Sequence, residues 1–224
     1  MQDFERTTDS WLERLYGGRP KKLAFVDETF TSRDGGRHTF YAVTAFMINS
    51  GDVEEVRREF ARLAGHRKWH TTERFQEQET EAIGAFADYI AHGPGSSALV
   101  VQMDLASTDV EDLEDARKKW LRWMIRILVE HHAVDAVLYE RRRPFEQKID
   151  AATVKPVREF YPKLVILDVG SDAEPLLWGP DIIAWTFQRR QIELEAWFNP
   201  FVTTTAIYRE GQSQRVQLRE MPDK

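Results

Sequence analysis

The sequence predicts an α/β fold, a mixed five-stranded sheet flanked by helices, as a single domain over residues 1–224. Short apolar runs at 23–27, 39–48, 98–105, 133–140 and 163–168 are rich in β-branched and aromatic residues, as strands are. From the third run onward the strands alternate with stretches of helical periodicity, the pattern of βαβ crossovers. Asp34-Gly35-Gly36, a strong turn signal, joins the first two runs into an antiparallel hairpin.

The elements follow in order. Residues 1–20 read as an amphipathic helix with Trp11, Leu12 and Leu15 on one side, stopped by Gly17-Gly18 and Pro20. Leu23-Ala24-Phe25-Val26-Asp27 is a buried strand that ends in a carboxylate, and Thr39 to Ile48 is its partner. A helical insertion spans 52–92: Val53, Val56, Phe60 and Leu63 recur at helical spacing, Gly65 to His70 forms a polar, aromatic loop, and a second helix covers 77–91. The third strand is Ala98 to Leu105. Thr108 or Asp109 caps a long helix to His131, whose basic residues Arg117, Lys118, Lys119, Arg122 and Arg126 read as a solvated, salt-bridged face. Ala133 to Glu140 is a fourth strand, again closed by an acid. A helix at 146–160, a fifth strand at 163–168 and a last long helix from Pro180 to Trp197 complete the core. Residues 199–224 read as a peripheral hairpin. Three strands followed by two crossovers give the strand order 3-2-1-4-5, the element order of the RNase H-like fold with a helical insertion between its second and third strands.

Composition narrows the function. There is no Cys, which excludes a disulfide scaffold, a thiolate metal site and a Cys nucleophile. With 31 basic and 37 acidic residues the net charge is −6, which argues against coating nucleic acid by bulk charge. No apolar run approaches the roughly 18 residues of a membrane span. The start, Met1 to Arg6, lacks the pattern of a secretory signal, so a cytoplasmic location is expected.

Charge placement is the informative signal. In the predicted sheet the first and fourth strands are neighbours, so Asp27 and Glu140 end side by side. The last helix packs across them and delivers Asp181. Gly179-Pro180 marks that helix's start, with Asp181 in a first turn that favours an ionised carboxylate. Converging carboxylates call for a divalent ion, and oxygen-only ligands favour Mg²⁺ or Mn²⁺. Such a site suits hydrolysis of a phosphodiester, with Arg141, Arg142 and Arg143 as candidate phosphate contacts. The alternative is a non-catalytic binding or regulatory module in which the carboxylates are structural.

Phe25-Val26-Asp27-Glu28-Thr29 with the following strand Tyr41-Ala42-Val43-Thr44-Ala45, and Leu176-Leu177-Trp178-Gly179-Pro180-Asp181-Ile182-Ile183-Ala184, resemble the opening and C-terminal signatures of the domain of unknown function 3800 family. The resemblance spans about residues 21–190. It implies an RNase H-like fold with a metal-dependent nuclease site. Asp27, Asp181 and Glu140 match its acidic positions, and Asp168 a further one. Thr29-Phe30 stands where Ser-Gly is usual, Pro180 where Ala is usual and Glu140 where Asp is more usual. His70, in Trp69-His70-Thr71-Thr72-Glu73, matches a His of the family and is a candidate proton shuttle or phosphate contact. Glu28 and Asp104 complete the candidates; Asp104, two strands from Asp27, is less suited to direct ligation. RNA or DNA, engaged locally, is the expected partner.

Overall fold

The computed structural model describes Leu15 and residues 20–31, 39–103, 110–193 and 195–209. The elements are β1 (Lys22–Phe30), β2 (Phe40–Asn49), α1 (Val53–Leu63), α2 (Thr71–Gln76), α3 (Thr80–His92), β3 (Ser96–Met103), α4 (Val110–His132), β4 (Ala136–Glu140), α5 (Pro144–Phe160), β5 (Val165–Val169), α6 (Trp178–Glu193) and β6 (Thr205–Arg209).

The sheet is mixed and six-stranded, in the order β5-β4-β1-β2-β3-β6. β1 pairs antiparallel with β2, and β2 with β3; β4 lies parallel to β1 and to β5. The count and full order differ from the expected five strands. Thr205–Arg209, the first arm of the expected peripheral hairpin, instead runs parallel to β3 as a sixth strand, with the Ser97 and Thr205 hydroxyls 2.6 Å apart. Residues 210–224, and all of the expected N-terminal helix apart from Leu15 and Pro20, lie outside the described residues.

Alternation along the strands gives the sheet two apolar faces. Leu23 and Phe25 of β1 join a core with Phe60, Phe86, Ile182 and Ile183, beneath α1, α3 and α6. Ala24 and Val26 join the opposite core with Trp120, Met124, Leu128 and Val154, beneath α4 and α5. The helical insertion thus covers the same face as α6. It holds three helices where the sequence suggested two, because the short α2 and the longer α3 are separate. Trp69, in the stretch expected to be a polar loop, is buried against Phe86, with ring centroids 4.7 Å apart.

The first ten residues of α6 are apolar almost all round and correspondingly buried, from Trp178 to Pro180 and from Ile182 to Phe187, while its last turns are polar. Gly179 lets its first turn approach the sheet closely: a Cβ there would stand 3.0 Å from the Phe46 ring of β2. Asp181 is the acidic residue of that turn.

Candidate active site

Asp27 follows Val26 on β1, so it shares a face with Leu23 and Phe25, whereas Glu28 shares the opposite face with Ala24 and Val26. On β4, Ala136 and Leu138 belong to the first core, which puts Glu140 on the face of Asp27. The parallel register runs from Leu23↔Ala136 to Val26↔Tyr139, so Asp27 and Glu140 take the next positions, side by side. Glu140 ends β4, whereas Asp27, expected to close its strand, lies inside β1, which continues to Phe30 along β2. α6 packs over β1 and β2 on this face and carries Asp181 toward them. All three carboxylates are partly buried. Thr44, opposite Asp27 in the β1–β2 register, ties strand to helix. Its buried hydroxyl is 3.2 Å from the Asp27 carbonyl oxygen and 3.0 Å from that of Pro180.

The electrostatics follow from this crowding. Burial, and then the charges of Glu140 and Asp181, push the Asp27 carboxyl well above its ordinary range, with Arg117 opposing. Burial also raises Asp181, partly offset by hydrogen bonds from Thr71. The backbone N–H of Thr71 donates to Asp181 Oδ2 at 2.9 Å, and its hydroxyl donates to the same oxygen at 2.7 Å. Trp69 Nε1 donates in turn to Thr71 Oγ1 at 2.9 Å. His70 and Glu73 also act on the charge of Asp181, with opposite signs.

A small cleft of about 60 Å³ has Asp27 and Glu140 in its lining, but with Glu28, Arg117, Leu121 and Tyr139 it opens toward the α4 side, beside Arg141 and Arg142, and Asp181 does not line it. The arginines differ in their commitments. Arg142 is bound by Glu114 at 2.8 and 3.0 Å and by Asp150 at 2.7 and 3.0 Å. Arg141 donates to the carboxylate and the carbonyl of Asp168, both at 2.9 Å. Arg143 is exposed at the start of α5, where its backbone N–H donates to Glu146. His70 is exposed and precedes the first residue of α2.

The structure therefore brings together Asp27, Glu140 and Asp181, with His70 beside Asp181. It puts Glu28 through the sheet, paired with Arg117 and accepting from the Tyr41 hydroxyl at 2.7 Å. Asp168 is engaged by Arg141, and Asp104 lies outside the described residues. Arg117, expected on a solvated face, is 6% exposed and also binds Asp150 at 3.0 Å. Sequence reasoning missed Thr71, Glu73 and Asp150. The signal for Thr71 is its place after a buried Trp; nothing local marks its partner, 110 residues away.

The donor chemistry fits a hard divalent cation: oxygen ligands with net like charge and a raised Asp27. Among the described residues, however, no group of three His or acidic side chains is arranged to hold a metal ion.

No family model matches the chain, and no curated protein matches it. Among solved structures, it is similar to one described as the structure of the PCNA:RNase HII complex from Archaeoglobus fulgidus, with a TM-score of 0.45 and 14% identity, covering 80% of this chain and 77% of that one. Among the described residues, no helix is long and apolar enough to cross a membrane.

Proposed function

We propose that the chain is a divalent-metal-dependent phosphodiesterase, a nuclease in the first instance, on an RNase H-like sheet, and that it is related to the domain of unknown function 3800 family. The observation that carries this reading is the meeting of three carboxylates from three elements on one sheet face, where Asp27 is raised by burial and then by the charges of the other two. A perturbed acid that lines a cleft, as Asp27 does, is a signature of functional sites.

Asp27 of β1, Glu140 at the end of β4 and Asp181 of α6 would hold Mg²⁺ or Mn²⁺. The bound ion would supply an activated water and charge stabilisation for phosphodiester cleavage. The protein's own part is to fix these carboxylates in place, while exposed His70, next to Thr71, and exposed Arg143, at the start of α5, would contact a phosphate backbone. The cation would offset local negative charge where a polyanion must approach, consistent with local contact by a chain of net charge −6. The test is cleavage of single- and double-stranded RNA and DNA with Mn²⁺. Wild type is expected to cut at least one of them and Asp27→Asn to lose about 100-fold or more. Inactivity on the full panel, with no Asp27-dependent Mn²⁺ binding, would sink the reading.

The absence of a ready three-ligand group among the described residues favours a second reading, a non-catalytic binding module. That reading expects nucleic-acid binding unchanged by Asp27→Asn and by chelators.

A further inference from the structure

We infer that Thr71, supplied by the helical insertion, is a positioning residue that orients the Asp181 carboxylate. The inference rests on the reading of Asp181 as a site residue, but its geometry stands independently. Thr71 is fully buried, and both of its donors, the backbone N–H and the hydroxyl, converge on one oxygen, Asp181 Oδ2, at 2.9 and 2.7 Å. A hydroxyl has one proton, and Thr71 is told where to send it: its oxygen already accepts from Trp69 Nε1 at 2.9 Å, so the proton points to Asp181. The result is a one-way relay of donors, indole to hydroxyl to carboxylate.

The relay's base is fixed. Trp69 is packed edge-on to Phe86, and the Arg74 guanidinium lies over its ring at 5.1 Å. Arg74 is itself buried, donating to the carbonyls of Lys68 at 2.9 Å and Ala64 at 3.2 Å and to Glu79 at 2.8 Å. These contacts tie down the 64–68 stretch that leads into Trp69. Two hydrogen bonds to a single carboxylate oxygen fix the rotation of the carboxyl group, which a lone bond does not. The insertion is therefore part of the site rather than an ornament on the sheet.

The experiment uses the full chain with Thr71→Val, which keeps shape and loses the hydroxyl, and Thr71→Ser, which restores the hydroxyl. Mn²⁺ affinity is measured by titration, with Asp27→Asn as the control for site-specific binding and thermal unfolding as the control for folding. Thr71→Val is expected to weaken Mn²⁺ binding about tenfold, the worth of one hydrogen bond to a charged group, and Thr71→Ser to stay within about twofold of wild type. Equal affinity for all three, or a Thr71→Ser loss matching Thr71→Val, overturns the positioning role. A metal-free arm separates this role from the functional reading. In the Asp181→Ala chain, hydrogen exchange followed by NMR is expected to be accelerated about tenfold or more at the Thr71 amide and the Trp69 indole, with the β2 amides unchanged. Unchanged exchange at both overturns the inference. If wild type shows no Asp27-dependent Mn²⁺ binding, the metal reading falls, and the exchange result alone decides the role of Thr71.

Discussion

Asp27 and Glu28 are consecutive in the chain and lie on opposite faces of the sheet. Asp27 meets Glu140 and Asp181 under α6, while Glu28 meets Arg117 and the Tyr41 hydroxyl under α4. One acid is crowded by like charges and the other is paired with a cation. The two faces of β1 thus have opposite electrostatic characters, and the following predictions exploit the difference.

Asp27 opposes folding when ionised. Its pKa is raised on folding, so the native state binds more protons than the unfolded state across the window from the ordinary carboxylate range up to the raised native value. Stability therefore falls as pH rises through that window. Asp27→Asn removes the penalty and is expected to raise stability at neutral pH by about 1 kcal/mol, the usual size of gain when a strained functional site is neutralised. Urea unfolding of both proteins at pH 4 and pH 7 checks this: the difference is expected to be larger at pH 7, and a mutant less stable at both pH values contradicts the charge crowding.

Asp150 has the opposite sign. Burial pushes its carboxyl up, but hydrogen bonds from Arg142 and Arg117 outweigh this and hold it below the ordinary range. Its contribution is present above the unfolded carboxylate pKa and is lost as pH falls through the lowered native value. Asp150→Asn is expected to be destabilising at pH 7, with its deficit shrinking on acidification. Parallel pH profiles for mutant and wild type would rule that out.

Arg117 is 6% exposed and its partner Asp150 is 1% exposed. Arg117→Met leaves a buried carboxylate short of one of its two cations, and breaking such a pair costs about 3 kcal/mol. Chemical denaturation is expected to show a loss of that order, whereas Arg143→Ala, at an exposed position, should stay within about 0.5 kcal/mol of wild type. On the proposed function Arg143→Ala instead weakens phosphate-backbone binding, measured by salt-dependent affinity for a short oligonucleotide.

Phe46 is gripped between two glycines. A Cβ at Gly95 would stand 2.1 Å from its ring and one at Gly179 3.0 Å. Gly95→Ala is expected to cost about 1–3 kcal/mol through overpacking, and Gly179→Ala less. Because Gly179 sets the approach of the α6 first turn, its substitution is expected to reduce Mn²⁺ affinity more than Gly95→Ala does. The reverse ranking would detach Asp181 from the packing of Phe46.

Some of this was legible in the chain. Asp27 and Glu140 announce themselves because each closes an apolar run, and parity along a strand then fixes the face. Asp181 is marked by Gly179-Pro180, a local helix-start signal. What stayed hidden depends on distant partners. Thr205–Arg209 has β character, but its pairing with β3 is decided by an open sheet edge over a hundred residues earlier. The charge of Arg117 suggested solvent; it is buried because Glu28 and Asp150 converge on it from β1 and α5. Arg142 offered itself as a phosphate contact, yet Glu114 and Asp150 occupy its guanidinium. Periodicity reports which side of a helix faces inward, and it carries no information about which ion pairs wait there.

The pairing of β6 with β3 sets a schedule for biosynthesis. Thr205 meets Ser97 across 108 residues of chain. During translation the outer edge of β3 therefore stays uncovered while β4 and β5 are made, and β6 covers it only after residues 205–209 leave the ribosome. A nascent chain stalled before that point presents an unpaired edge of alternating Ala98, Leu99, Val100 and Val101, the kind of template that chaperones screen and that aggregation exploits.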